Sequence, residues 1–329
     1  MRTRLNIRQV AKRAGVSPAV VSVIINKKEN QNIFVSKATR ERVLKVIRET
    51  GYIPRKSARD LITRRTNIIG IICHRLTPFF AELLTWLQRT AAECGLEVIP
   101  YLTNGQPELE EGYLRQSLDG RVDGLIALAE TEGSRDRYCR YAGPPYHLNI
   151  VYYGSPLPGI PTFHYDEKEA GRLAFHHLYQ AGYRRLGVFG GSASDKRNQS
   201  FIQAAAEAGV KLTWKPGRQW IGYLAEAARA AEELIEKNRP LPDGLFCYSD
   251  LVAIAFLSVA HKKGIRIPQD IALLSCDNTE LAGYTHPPLS SIDVNFPLLA
   301  KTALENVCAL IAGKKPARLH RHIPVRLVV

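Results

Sequence analysis

Two helix signals only two residues apart constrain the start of this chain more tightly than any other feature of its 329 residues. Asn6-Ile-Arg-Gln9 has the form of a capping box, the Asn side chain serving an early helix N–H while Gln9 reaches back to the cap. Ile7, Val10, Ala11 and Ala14 then recur at the i, i+3, i+4, i+7 spacing of a short amphipathic helix, and Gly15 supplies a left-handed stop. Ser17-Pro18 restarts a helix at once, a hydroxyl cap followed by the one helical position where proline's missing N–H costs nothing. Helices this short, joined this tightly, must cross steeply. The pattern predicts a helix-turn-helix whose second helix is shaped to enter a DNA major groove.

On that second helix Val21 and Ile24 share the face that packs on Val10 and Ala14, which leaves Pro18, Ala19, Ser22 and Val23 outward. The outward face carries almost no charge. Readout of bases there rests on apolar contact with thymine methyls and on the Ser22 hydroxyl, with Ser17 and Asn26 at the two ends of the helix joining the DNA-facing set. Arg8, together with Lys12, Arg13, Lys27 and Lys28, is placed to hold phosphates. Ser36 is expected to cap a third helix through Thr50, with Val43, Val46 and Ile47 inward and Gly51 as terminator. Charge agrees with this reading: of the chain's net +14, Met1–Arg65 supplies +13, from 17 basic and four acidic residues. A polyanion-binding head (1–53) is thus joined to a near-neutral body by a linker (54–66). About eight linker residues after Pro54 suffice for two helical turns, too few to be stable alone in water.

From Asn67 the pattern changes to short apolar runs alternating with helical stretches. Ile68–Cys73, Leu96–Leu102, Asp123–Ala129 and Tyr146–Tyr153 read as strands, separated by helices near Phe79–Cys94, Glu108–Leu118 and Ser134–Tyr141. A second series has strands at Arg185–Gly191, Gly244–Ser249 and Asp270–Cys276 between helices near Glu167–Gln180, Arg197–Ala208, Tyr223–Lys237 and Leu251–Lys263. A last helix spans about Pro297–Ala312, and Leu319–Val329 reads as one final strand. The fold expected is a small all-α head plus an α/β body of two parallel-sheet lobes, with a ligand cleft at the strands' carboxyl ends.

Other classes fit poorly. The chain lacks the G-x-G-x-x-G, P-loop and G-x-S-x-G signatures, and adjacent His176 and His177 point about 100° apart on a helix, so no catalytic residue, metal or cofactor is expected. Six cysteines without a C-x-x-C pair, each in or beside an apolar stretch, read as buried reduced thiols. Met1-Arg-Thr-Arg lacks a secretory apolar region and no run approaches the roughly 18 apolar residues of a spanning helix, so a cytoplasmic location away from membranes is expected. A transport binding protein fits the body but not the basic head.

Ile7-x-x-Val-Ala-x-x-Ala-Gly-Val-Ser17, Thr39-Arg-Glu-Arg-Val43, Gly51-Tyr-x-Pro54 and Ala58-Arg-x-Leu61 together resemble the head and hinge of the LacI/GalR family of bacterial transcriptional regulators. The resemblance implies a homodimeric repressor on a palindromic double-stranded DNA operator, controlled by a small sugar- or nucleoside-like effector in the interlobe cleft. It implies that Leu61 wedges into the minor groove, with Arg59 beside it on the DNA. It also implies that the body resembles periplasmic sugar-binding proteins, with one lobe from about 67–163 plus 294–318 and the other from about 164–293 plus 319–329. Val23 stands where the family often has Arg, Asp60 sits next to the wedge, and Lys27–Val35 is longer than the usual loop.

In the body, His74-Arg-Leu-Thr-Pro-Phe-Phe-Ala-Glu82 resembles the family's N-P-F-F-A-E-like segment, with Thr77 for the frequent Asn and Phe79 free to stack on a ring. Gly190-Gly-Ser-x-x-x-x-Arg197 offers a fork-shaped donor. Tyr248-Ser249-Asp250 falls where A-N-D is common, and Asp277 is the expected acceptor for ligand hydroxyl or N–H groups. His74, Thr77, Phe79, Arg197, Ser249 and Asp277 are therefore the candidate effector contacts. Asp250 reads better as a helix cap, and either Trp214 or Trp220 is a candidate cleft wall.

Overall fold

A computed structural model describes residues 5–26, 34–52, 65–128, 131–219, 221–237 and 240–329, and its packing divides at Thr66/Asn67 into a helical unit and a larger α/β unit. The helical unit holds α1 (Ile7–Ala14), α2 (Pro18–Asn26) and α3 (Lys37–Thr50). The capping box forms at the start of α1: Gln9 N–H donates to Asn6 Oδ1 at 3.0 Å and Asn6 N–H to Gln9 Oε1 at 2.8 Å. Gly15 ends the helix at φ +63°, a left-handed value that only glycine adopts without strain. Arg42 Nε donates to the Ala14 carbonyl at 2.9 Å, satisfying an acceptor that α1 leaves open at its end. Val10, Ala11, Ala14, Val21, Ile24 and Val43 are all at most 3% exposed and form the core. Each buried Val or Ile contributes about 1.5–3 kcal/mol, so a unit this small depends on every one of them.

The α/β unit has β1 (Ile68–Cys73), α4 (Pro78–Glu93), β2 (Glu97–Leu102), α5 (Pro107–Leu118), β3 (Gly124–Ala127), α6 (Ser134–Ala142), β4 (Ile150–Tyr153) and β5 (Thr162–Tyr165). It continues with α7 (Glu167–Gln180), β6 (Leu186–Phe189), α8 (Lys196–Glu207), α9 (Leu224–Lys237), β7 (Gly244–Cys247), α10 (Asp250–Lys262) and β8 (Ala272–Asp277). It closes with β9 (Ser290–Asp293), α11 (Phe296–Ile311), β10 (His320–Ile323) and β11 (Arg326–Val328). One sheet has the order β10-β5-β4-β3-β1-β2 with every pairing parallel, and the other β11-β9-β8-β7-β6 with only β11 antiparallel. Strands covered by helices on both faces read as unbroken apolar runs, and Ile69–Cys73 of β1 is buried throughout.

Three features differ from the sequence reading. Thr162–Tyr165 and Ser290–Asp293 are strands, and the segment expected as one strand over Leu319–Val329 is two. β10 joins β5 in the first sheet while β11 joins β9 in the second. Pro324 lies between them, and without an N–H it cannot continue a ladder. The first sheet therefore takes β5 and β10 whole, which moves the expected lobe boundaries at 163/164 and 318/319. The chain passes between the sheets three times, after Tyr165, Asp293 and Ile323.

Gly171 permits a close approach of two helices. A Cβ there would fall 2.0 Å from the Arg197 carbonyl oxygen and 2.9 Å from Phe201 N, so α7 and α8 approach only because the position has no side chain. That approach sets where the first turn of α8 presents Arg197.

Candidate functional site

In the helical unit Ser17, Pro18 and Ala19 are exposed and Ser22 and Val23 half-buried, on the side of α2 turned from the core. Ser17 Oγ accepts the Val20 N–H at 3.4 Å, so its hydroxyl caps the helix. Arg8, Lys12 and Arg13 are exposed on α1. The Arg59 and Leu61 expectations lie outside the described residues, as does the side chain of Asn26.

In the α/β unit the carboxyl ends of strands from both sheets surround a cavity of 320 Å3, and His74, Thr77, Phe79, Arg197, Ser249 and Asp277 all line it. That volume suits a small metabolite. Thr77 and Ser249 each also cap a helix: Thr77 Oγ1 accepts the Phe80 N–H at 3.4 Å, and Ser249 Oγ the Val252 N–H at 3.3 Å. Phe79 packs against Phe296, Phe80 and Tyr153 with ring centroids 5.2, 5.3 and 5.8 Å away. Burial and the neighbouring Arg75 charge push the His74 imidazole below its usual range, so it faces the cavity neutral at pH 7.

Arg197, 6% exposed, is the hub. Its Nη1 donates to the Tyr248 carbonyl at 2.7 Å and lies 3.7 Å from Asp277 Oδ1, while Nε lies 4.0 Å from Glu167 Oε1 without a hydrogen bond. The guanidinium sits 3.8 Å over the Tyr248 ring and 5.4 Å from that of Tyr165. Asp277 holds φ +115°, a conformation that L side chains rarely adopt and that persists only where surrounding structure enforces it. Burial raises its carboxyl well above the ordinary range, outweighing the opposing pull of Arg197.

Asp250 is not the helix cap that the sequence suggested, because Ser249 takes that place. Asp250 is 1% exposed and accepts from Ser275 Oγ at 2.6 Å, Ser291 Oγ at 2.7 Å, Thr279 N–H at 2.7 Å and Thr279 Oγ1 at 2.9 Å. It pins α10 to β8, β9 and the Thr279 segment, and so fixes the backbone that presents Asp277. Burial raises this carboxyl too, the donors pulling it back.

Tyr153, Tyr165, Glu167, Tyr223 and Tyr248 also line the cavity and were not among the expected contacts. Tyr153 and Tyr165 end β4 and β5, and Tyr248 follows β7, so the rule that ligands sit at strand carboxyl ends would have found three of them. Arg75 stacks on Tyr223 at 4.7 Å, joining the loop after β1 to the segment before α9. Trp214 pairs by its backbone with Gly187 and is not among the cavity residues, and Trp220 lies outside the described residues. Among the described residues no His, Cys, Asp and Glu group is arranged to hold a metal, and no helix is long and apolar enough to cross a membrane.

Residues 6–55 match the family described as bacterial regulatory proteins, lacI family, and residues 175–329 match the periplasmic binding protein-like domain. The HTH-type transcriptional repressor PurR of Photobacterium profundum is 30% identical over 322 residues, 95% of this chain and 93% of that protein. PurR of Aliivibrio fischeri (strain ATCC 700601 / ES114) is 31% identical over 323 residues, again 95% of this chain and 93% of the relative. Among solved structures, the lac repressor dimer bound to operator and the anti-inducer ONPF superposes with a TM-score of 0.83 at 21% identity, covering 99% of this chain and 98% of that one. A LacI-family regulator from Silicibacter pomeroyi gives 0.76 at 26% identity, with 98% of each chain covered.

Proposed function

The chain belongs to the LacI family of bacterial regulatory proteins, and from that membership we propose that it is a cytoplasmic, non-enzymatic repressor whose homodimer binds a palindromic operator under control of a small polar effector. Residues 1–53 form the reading head, 54–66 the hinge and 67–329 the effector-binding and dimerising body. In the head, Pro18, Ala19, Ser22 and Val23 meet base edges, Ser17, Asn26 and Arg8 flank them, and Arg59 and Leu61 act in the minor groove. In the body, His74, Thr77, Phe79, Arg197, Ser249 and Asp277 contact the effector.

What carries the reading is that His74, Thr77, Phe79, Arg197, Ser249 and Asp277 all line one cavity. Arg197 lines that cavity as a fork-shaped cation and offers donors to a ligand acceptor. Asp277 and Glu167 accept from ligand hydroxyl or N–H groups, and the aromatic walls take a ring face. The effector is thus a sugar- or nucleoside-like molecule carrying both donors and an acceptor.

The test pairs selection of bound duplexes from a random pool with a thermal-shift panel of sugars, nucleosides and purines. A true effector at about 100 times its Kd adds about 2.7 kcal/mol of stability and changes affinity for the selected palindrome. A protein that selects no palindrome, or whose ligands leave DNA binding unchanged, refutes the proposal.

A further inference from the structure

Some exposed cations of the body are matched by carboxylates: Arg172 with Glu169 at 2.7 Å, Lys263 with Glu236 at 2.8 Å, Arg266 with Asp270 at 2.7 Å. Others are not, and Lys314, Lys315 and Arg318 are among them. All three are exposed, and none makes an ion pair among the described residues.

Their place in the fold gives this significance. All six strands of the first sheet are parallel, so their starts share one end of the lobe. The chain arrives from the head at that end, where Asn67 N–H donates to Asp123 Oδ2 at 2.9 Å just before β3. Helix α11 runs back to the same end. Its last turn covers the start of β3, since a Cβ on Gly124 would fall 2.6 Å from Val307 and 3.3 Å from Ile311. Lys314 and Lys315 follow directly, and Arg318 precedes Leu319, whose carbonyl accepts the Thr162 N–H at 2.6 Å where β10 meets β5. At the point of arrival the Asp123 carboxylate is engaged by the Asn67 backbone, and Glu97 opens β2 beside it.

We propose that Lys314, Lys315 and Arg318 form a rim that contacts the DNA phosphate backbone beside the head's own footprint; this rests on the head binding DNA as proposed above. Three cations on a near-neutral body are too few to hold DNA alone. Tethered to a bound head they act differently, because the segment from Ile53 to Thr66 spans at most about 50 Å when fully extended. That tether holds the rim at an effective concentration on the order of millimolar, where each weak contact adds to affinity. Every phosphate neutralised releases condensed counterions, steepening the salt dependence without adding sequence preference.

The test compares two full-length triple variants of equal charge change. One is K314Q/K315Q/R318Q. The other, K211Q/K215Q/R218Q, removes a second run of exposed cations in the other lobe, so it controls for overall charge. Operator affinity is measured from 50 to 200 mM salt. A phosphate given up by each protomer makes two for the dimer, so the slope of log K against log salt becomes shallower by about 2 or more in the rim variant, and affinity near 100 mM falls at least about tenfold. Sequence preference and melting temperature stay at wild-type values, and the control variant keeps the wild-type slope. A wild-type slope in the rim variant, or equal flattening in both variants, overturns the proposal while leaving the head's role intact. A wild-type protein that binds no operator at all overturns both.

Discussion

Replacing Arg197 with Met removes the guanidinium while keeping much of its bulk, and the surrounding geometry sets the consequence. Asp277, 5% exposed, loses its facing positive charge at 3.7 Å, and the Tyr248 carbonyl loses a charged donor at 2.7 Å. Leaving one member of a buried pair uncompensated costs about 3–5 kcal/mol. Asp277→Asn is milder, about 1–2 kcal/mol, because Arg197 keeps the Tyr248 carbonyl and two aromatic rings. In the double variant neither charge is stranded, so the total falls about 1–3 kcal/mol short of the sum.

The pH dependence carries a sign. Burial raises the Asp277 carboxyl, so the native state binds this proton more tightly than the unfolded chain. Its contribution is complete below the unfolded value near about 4 and is lost as pH rises through the raised native value. Without Arg197 the carboxyl rises further, so Arg197→Met is least damaging in acid and most damaging at pH 8. Urea unfolding followed by tryptophan fluorescence reads the body alone, since Trp86, Trp214 and Trp220 all follow residue 66. Equal penalties for Arg197→Met at pH 5 and pH 8, or strictly additive single-variant effects, would show that Asp277 is not the stranded charge.

Three shorter predictions concern other parts of the chain. Deleting Met1–Arg65 removes +13 of the net +14 and leaves a folded body that binds effector but not operator; a mobility shift by the truncated protein at wild-type concentrations contradicts the domain assignment. Leu61→Ala weakens operator binding and reduces DNA bending while leaving effector affinity unchanged, because the bend costs roughly 1–6 kcal/mol that wedge contacts must offset. Equal affinity and bend angle in the variant make Leu61 a packing residue only. Glu110→Ala removes the acceptor of Arg137 Nε, 2.7 Å away, and of the Ser134 and Tyr138 hydroxyls, while Arg137 and Ser134 keep Thr131 as a partner, and should destabilise the body by about 1–3 kcal/mol; a loss under about 1 kcal/mol in urea unfolding rejects this.

Caps and periodicity made the head legible, because Asn6, Gln9, Gly15 and Ser17 act within a few residues of themselves. In the body, apolar runs such as Ile68–Cys73 announced central strands. Thr-Phe-His-Tyr at 162–165 and Ser-Ser-Ile-Asp at 290–293 carry no such apolar run, being four residues long and at least half polar. Leu319–Val329 reads as extended chain, but its local pattern carries no information on which sheet each half joins. Asp250 misled for a related reason: its four partners include Ser275 and Ser291, 25 and 41 residues away, and local spacing cannot see them.

The pairing of β10 with β5 also orders events at the ribosome. Thr162 and His320 are bonded across 158 residues, and the first sheet lacks an edge strand until residues 320–323 have been made. At about 5–20 residues per second that interval lasts roughly 8–30 s, during which β5 and the floor beneath α11 stay open. The second sheet also waits for its last strand, though over a shorter stretch, since β11 follows Pro324. Both lobes therefore close together and late. A nascent chain stalled before residue 320 exposes an unpaired parallel edge, the form of this protein most prone to aggregate and most in need of a chaperone.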